Sequence, residues 1–113
     1  MKKSFVCAIA AIGFASAIYT TPVKALTPTI TLYPTYGKFE FDNRPYLHDM
    51  KIVCRYDFQN AHGKKEYKTD TVDKHGVYVN TFLYARNSDC VSYKGQMTYF
   101  LDGERYGTIE KLY

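Results

Sequence analysis

The residues best equipped for chemistry are few. Three histidines, His48, His62 and His75, and three cysteines, Cys7, Cys54 and Cys90, are spread along 113 residues. None of the histidines has another His, Cys or carboxylate at the spacing of a zinc site, so no metal or other cofactor is expected. There is no Gly-x-Ser-x-Gly elbow and no glycine-rich phosphate loop. One acid–base set can still be assembled. Small secreted ribonucleases use Glu, Arg and His on a short sheet to attack through the ribose hydroxyl, and Glu40, Arg86 and His48 or His75 are the candidates here. The stretch Asn87–Tyr99 loosely looks like a late strand of such enzymes. Where their histidine would follow the threonine, however, this chain has Tyr99 after Thr98. A non-enzymatic protein is the expectation, with a catalytically dead ribonuclease-like fold as an alternative.

Cys54 and Cys90 are expected to pair instead of acting as nucleophiles or metal ligands. They are the two cysteines left once the N-terminal segment is set aside, and each lies in or beside a strand-like run. A cross-link closing 90 − 54 = 36 residues would stabilise a small fold by about 4 kcal/mol.

That N-terminal segment has the marks of a secretory signal. Met1-Lys2-Lys3 is basic, Phe5–Ala17 is apolar, and cleavage is expected after Ala25 or Ala17. The apolar run ends at Tyr19-Thr20-Thr21-Pro22, short of the ~20 residues a membrane span needs. Cleavage after Ala25 would remove Cys7, Lys2, Lys3 and Lys24. The remaining 88 residues would carry twelve basic and eleven acidic side chains, a net charge of +1. A nearly neutral chain gives no electrostatic case for nucleic acid or a membrane surface. A secreted, extracellular destination suits paired cysteines.

The elements that must position these residues read as strands throughout. Apolar residues recur with period two, and no window outside the signal shows sustained 3.6-residue spacing. In 50–58, Met50, Ile52, Cys54, Tyr56 and Phe58 share one face. The segments 66–72, 77–85, 90–93, 96–101 and 105–112 complete six strands. Asp102-Gly103 is the strongest hairpin signal. Val77–Ala85 is apolar on both faces and reads as a central or doubly covered strand. All four prolines lie at or before Pro45, so residues 26–45 read as an N-terminal arm with edge-like pieces, ahead of a domain at 46–113. Phe39 and Phe41 in that arm are expected to cover the core. The fold class is all-β, a small antiparallel sandwich or barrel of six strands with one disulfide.

The chain is rich in tyrosine, with twelve, a residue common at binding surfaces. Tyr56, Tyr67 and Tyr99 read as packing residues. Tyr33, Tyr36, Tyr46 and Tyr106 are left open as surface residues.

Residues 50–112 resemble the MAX family of secreted fungal effectors. The likeness lies in Ile52-Val53-Cys54-Arg55-Tyr56, matching the first strand, and in Ala85-Arg86-Asn87-Ser88-Asp89-Cys90, matching the polar turn into the second cysteine. The resemblance implies a six-stranded sandwich stapled by Cys54–Cys90. It also implies a virulence protein that binds a host protein, often by adding a strand at an exposed edge. The expected edge is Glu66-Tyr67-Lys68-Thr69-Asp70, continuing to Val72, with Glu66, Lys68 and Asp70 directed outward. The competing class is a bacterial secreted or periplasmic small-barrel binding module, an inhibitor or adhesin.

Overall fold

The computed structural model describes residues 26–113; the expected signal segment lies outside them. Seven strands follow one another: β1 Thr27–Tyr33, β2 Tyr36–Asp42, β3 His48–Gln59, β4 Lys65–Gly76, β5 Tyr78–Tyr84, β6 Val91–Leu101 and β7 Glu104–Leu112. They form two antiparallel sheets, one in the order β1-β2-β5 and one in the order β4-β3-β6-β7. The architecture is a β-sandwich of two open sheets, not a closed barrel.

Alternation builds the core. On β3 every second residue, from His48 to Phe58, is buried. Phe39 and Phe41 of β2 descend onto this face from the other sheet, both with no exposure, joined by Ile30, Val79, Met97 and Leu101. The expected core face of 50–58 and the covering role of Phe39 and Phe41 both match the structure.

Three expectations need correction. The N-terminal arm is part of the sandwich. β1 and β2 form a hairpin across Pro34-Thr35, and β2 is the central strand of its sheet. Among the described residues, Pro28 lies on the outermost strand β1, Pro34 in the turn that follows it and Pro45 in the connection between β2 and β3, where a missing donor costs little. Conversely, β5 is an outermost strand, not a central one. Finally, the segments expected as 90–93 and 96–101 are one strand, β6, and with β1 and β2 added the described residues form seven strands instead of six. Gly95 does not interrupt it. A Cβ there would come within 2.9 Å of Ile30 Cγ2 and 3.3 Å of Phe39 Cε2, so the glycine lets the two sheets close on each other.

The disulfide is the fourth correction: Cys54 and Cys90 are both free and buried. The register explains why. Val91 lies opposite Gln59, so Cys90 sits beyond the end of β3, while Cys54 lies mid-strand opposite Met97. At ~3.3 Å per residue the two are more than ~15 Å apart along the strand, and a disulfide needs Cα atoms within about 7 Å. The ends of the sheets are tied by hydrogen bonds instead. Ser92 Oγ donates to the Tyr33 carbonyl, which leaves the Tyr56 hydroxyl to donate to Ser92 Oγ at 2.6 Å. The Ser92 N–H donates to the Pro34 carbonyl at 2.8 Å.

Candidate functional site

The ribonuclease-type set does not converge. Glu40 lies on the outer face of the three-stranded sheet, where it accepts from the Tyr78 hydroxyl at 2.7 Å. Arg86 lies beyond the end of β5 and pairs with Glu66. His75 pairs with Asp49 through Nδ1 at 2.6 Å. His48 pairs with Asp102 through Nδ1 at 2.6 Å, with its Nε2 buried and unpartnered among the described residues. Each candidate is held by a different partner. Among the described residues no three His, Cys, Asp or Glu side chains gather in a group that could hold a metal ion. A depression of about 290 Å³ on the outer face of the four-stranded sheet is lined by Val53, Arg55, Thr69, Gln96, Thr98 and Thr108 among others, with no carboxylate or histidine. The rest of its lining is Cys54 and Met97, both buried core residues, so no carboxylate or imidazole stands there to act as acid or base.

Two surfaces remain. The first is the expected edge. β4 is an outermost strand, paired with β3 alone. The turn before it is set by Asn60, whose side-chain oxygen accepts from the backbone N–H of His62 and Lys64, and by Gly63 at φ 78°. The residues Glu66–Asp70 are therefore on an open edge, but their side chains are turned the other way from expectation. Phe58, Tyr56 and Cys54 point into the core, and Glu66, Lys68 and Asp70 lie directly opposite them. These three are on the inner face at the rim of the sandwich, and Tyr67, Thr69 and Thr71 are on the outer one. Asp70 accepts from Thr81 Oγ1 at 2.6 Å across to the other sheet, and Glu66 accepts from Asn60 Nδ2 at 2.9 Å. Tyr67 does not pack in the core: it is exposed, with the Arg55 guanidinium 4.1 Å from its ring centroid.

The second surface is the outer face of the three-stranded sheet. The register places Tyr33 opposite Tyr36 and Tyr36 opposite Tyr84, one row of tyrosines across three strands. Their rings stack at centroid distances of 4.5 Å and 5.2 Å. Phe82, in the next row, lies 6.2 Å from Tyr36 and 6.4 Å from Tyr84. Although the rings support one another, Phe82 and Tyr84 remain 42% and 55% exposed. A polar margin continues the face. Lys38 Nζ is 5.8 Å from the Phe82 ring and 3.6 Å from Glu40. Beyond it, Arg44 covers the Tyr78 ring at 5.1 Å and clasps Asp42, with Nε 3.0 Å from Oδ1. Burial, reinforced by the bond to Glu40, pushes the Tyr78 hydroxyl up to about 12. The Arg44 side chain and N–H hold the Asp42 carboxyl below its ordinary value. Tyr78 therefore stays a neutral donor over the physiological range, and the margin keeps a fixed pattern of charge.

Tyr33 and Tyr36 were legible as surface tyrosines. Phe82 and Tyr84 were not, because a strand apolar on both faces reads as buried on both. The available signal was that every bulky residue on their side, Tyr78, Phe82 and Tyr84, is aromatic. Comparison with protein families, with curated proteins and with solved structures finds no match for this chain.

Proposed function

We propose that this is a secreted, non-enzymatic binding protein of the effector type that acts on a host protein, and that it recognises its partner through the outer face of the three-stranded sheet. The observation that carries the reading is the cluster Tyr33, Tyr36, Phe82 and Tyr84, with two of its rings about half exposed. Aromatic residues dominate the energetics of protein interfaces, and the surrounding margin is typically polar. Lys38, Glu40, Asp42 and Arg44 supply such a margin here. Exposed aromatic patches of this kind mark interaction sites in small soluble domains. The balanced charge of the margin favours a protein surface over a polyanion. The signal-like N-terminus supports secretion, and the small sandwich supports the effector class. The scattered acid–base residues support a role without catalysis.

The test is capture and affinity measurement with paired variants. The purified protein should capture a host protein that the double variant Tyr36→Ala/Phe82→Ala binds at least ~100-fold more weakly, as two interface aromatics are each worth about 2 kcal/mol. Neither side chain belongs to the buried core, so the melting temperature should move by only a few degrees. Equal affinity of the double variant for the captured protein would refute the assignment of this face. Turnover of RNA, glycan or peptide that is lost in His75→Ala or Glu40→Gln would refute the non-enzymatic reading.

A further inference from the structure

The open edge of β4 has a property that the aromatic face does not share. The loop bond from the Asn60 N–H to the Lys64 carbonyl makes residues 60 and 64 a hydrogen-bonded pair. The ladder from there to Gly76 runs without a register shift. Hydrogen-bonded and non-bonded pairs alternate along an antiparallel ladder. Glu66, Lys68, Asp70 and Val72 therefore turn their N–H and C=O groups to β3. Lys65, Tyr67, Thr69, Thr71 and Asp73 turn theirs outward, away from the sheet. This is a row of five residues on an exposed strand, each offering a donor and an acceptor.

We infer that this edge pairs with the β4 edge of a second copy, antiparallel about a two-fold axis at Thr69. An axis normal to the sheet keeps every side chain on its own face, so the axis must pass through a residue and not between two. With the axis at Thr69, Lys65 faces Asp73 of the second copy and Lys68 faces its Asp70. Tyr67 then meets Thr71, Glu66 meets Val72, and Thr69 meets itself. No like charges oppose each other from Lys65 to Asp73. Neighbouring axes fail. At Lys68, lysine meets lysine and Glu66 meets Asp70. At Asp70, aspartate meets aspartate. At Thr71, Lys68 meets Lys74, and at Tyr67 only five residues overlap before the strand begins. Like charges directly opposite one another destabilise a strand pair, and opposite charges stabilise it. The outward amides fall on the facing pairs of this register, giving about ten backbone hydrogen bonds. The contact is self-complementary, as a closed two-fold interface requires. It joins the two four-stranded sheets into one of eight strands. The charges on the rim, which deter indiscriminate edge pairing, disfavour the registers centred on Lys68, Asp70 and Thr71 and favour the one centred on Thr69, which also pairs both Lys65 and Lys68 with aspartates.

The test is the molar mass of the purified protein by sedimentation equilibrium, with charge-exchange variants. The wild-type protein should be a dimer. Lys65→Asp and Asp73→Lys should each raise the dissociation constant by at least about tenfold, because each sets like charges opposite at both ends of the pairing. An equimolar mixture of these two variants should dimerise as well as wild type, since each supplies the charge the other needs. Thr69→Pro removes an outward N–H and should give a monomer with an unchanged far-ultraviolet circular dichroism spectrum. A monomeric wild-type protein at about 100 μM would overturn the inference. So would a dimer insensitive to the single charge variants, or variants that weaken the dimer and are not rescued by mixing.

Discussion

Cys54 and Cys90 set the residue scale because both are buried in the core and neither is bridged. Burial, with a smaller contribution from the charge of Asp70, pushes the Cys54 thiol up to about 12. It should behave as a small apolar side chain, and iodoacetamide at pH 8 should modify it only after unfolding. Non-reduced peptide mapping should recover Cys54 and Cys90 as separate thiol peptides. Asp102 carries the other residue-level consequence. Burial raises its carboxyl, but the Asp49 N–H and His48 outweigh that, and the group lies below its ordinary value. Folding therefore favours the ionised form. The stability it lends is complete above its unfolded value, near ~4, and is lost as pH falls through the lower folded value. Asp102→Asn, which keeps the left-handed backbone at φ 50° accessible, should cost about 1 kcal/mol at pH 6. The figure is small because the carboxylate is more than half exposed. The gap between wild type and variant in urea midpoints should narrow as pH is lowered from 6 to 3; an unchanged gap would rule out this role.

At the scale of the element, the backbone phase of β4 separates two adjacent prolines. Lys68 gives its N–H to β3, whereas Thr69 points its own outward, so Lys68→Pro should destabilise the protein by about 3 kcal/mol and Thr69→Pro by clearly less. Urea unfolding of each variant measures the difference, and equal losses would mean the phase is assigned wrongly. β6 depends on a different local fact. Gly95→Ala places a methyl 2.9 Å from Ile30 Cγ2 in the tightest part of the inter-sheet contact. The expected cost is about 1–3 kcal/mol by overpacking, read as a lower midpoint in urea unfolding.

For the molecule as a whole, the two surfaces belong to different sheets. The aromatic row lies on the outside of β1, β2 and β5, and the self-pairing edge belongs to the β4-β3-β6-β7 sheet. The two functions should therefore separate by mutation. Tyr36→Ala/Phe82→Ala should leave the molar mass unchanged while abolishing partner capture. Lys65→Asp should leave the intrinsic affinity of one face unchanged while removing the gain that two linked faces confer on a multivalent surface. Partner binding to a sparse and to a dense immobilised layer, compared between wild type and Lys65→Asp, reads that gain directly.

The period-two alternation fixed the all-β class and the inward face of β3, since only one phase of a strand can bury Met50 through Phe58 together. The same logic sent Phe39 and Phe41 into the core, and the Asp102-Gly103 turn followed from its demand for positive φ, observed at 50° and 83°. All of these depend on neighbours in the chain. What the sequence could not supply is which strands lie beside one another. Strand order made β5 an outermost strand and turned its second apolar face into an exposed aromatic patch. Register carried Cys90 past the end of β3, out of reach of Cys54, and put Glu66, Lys68 and Asp70 on the inner rim. Gly95 looked like a break because the residues that require it, Ile30 and Phe39, are more than fifty positions away. Pairing and close approach between distant segments are decided only when the whole chain is packed, and both candidate surfaces are products of that packing.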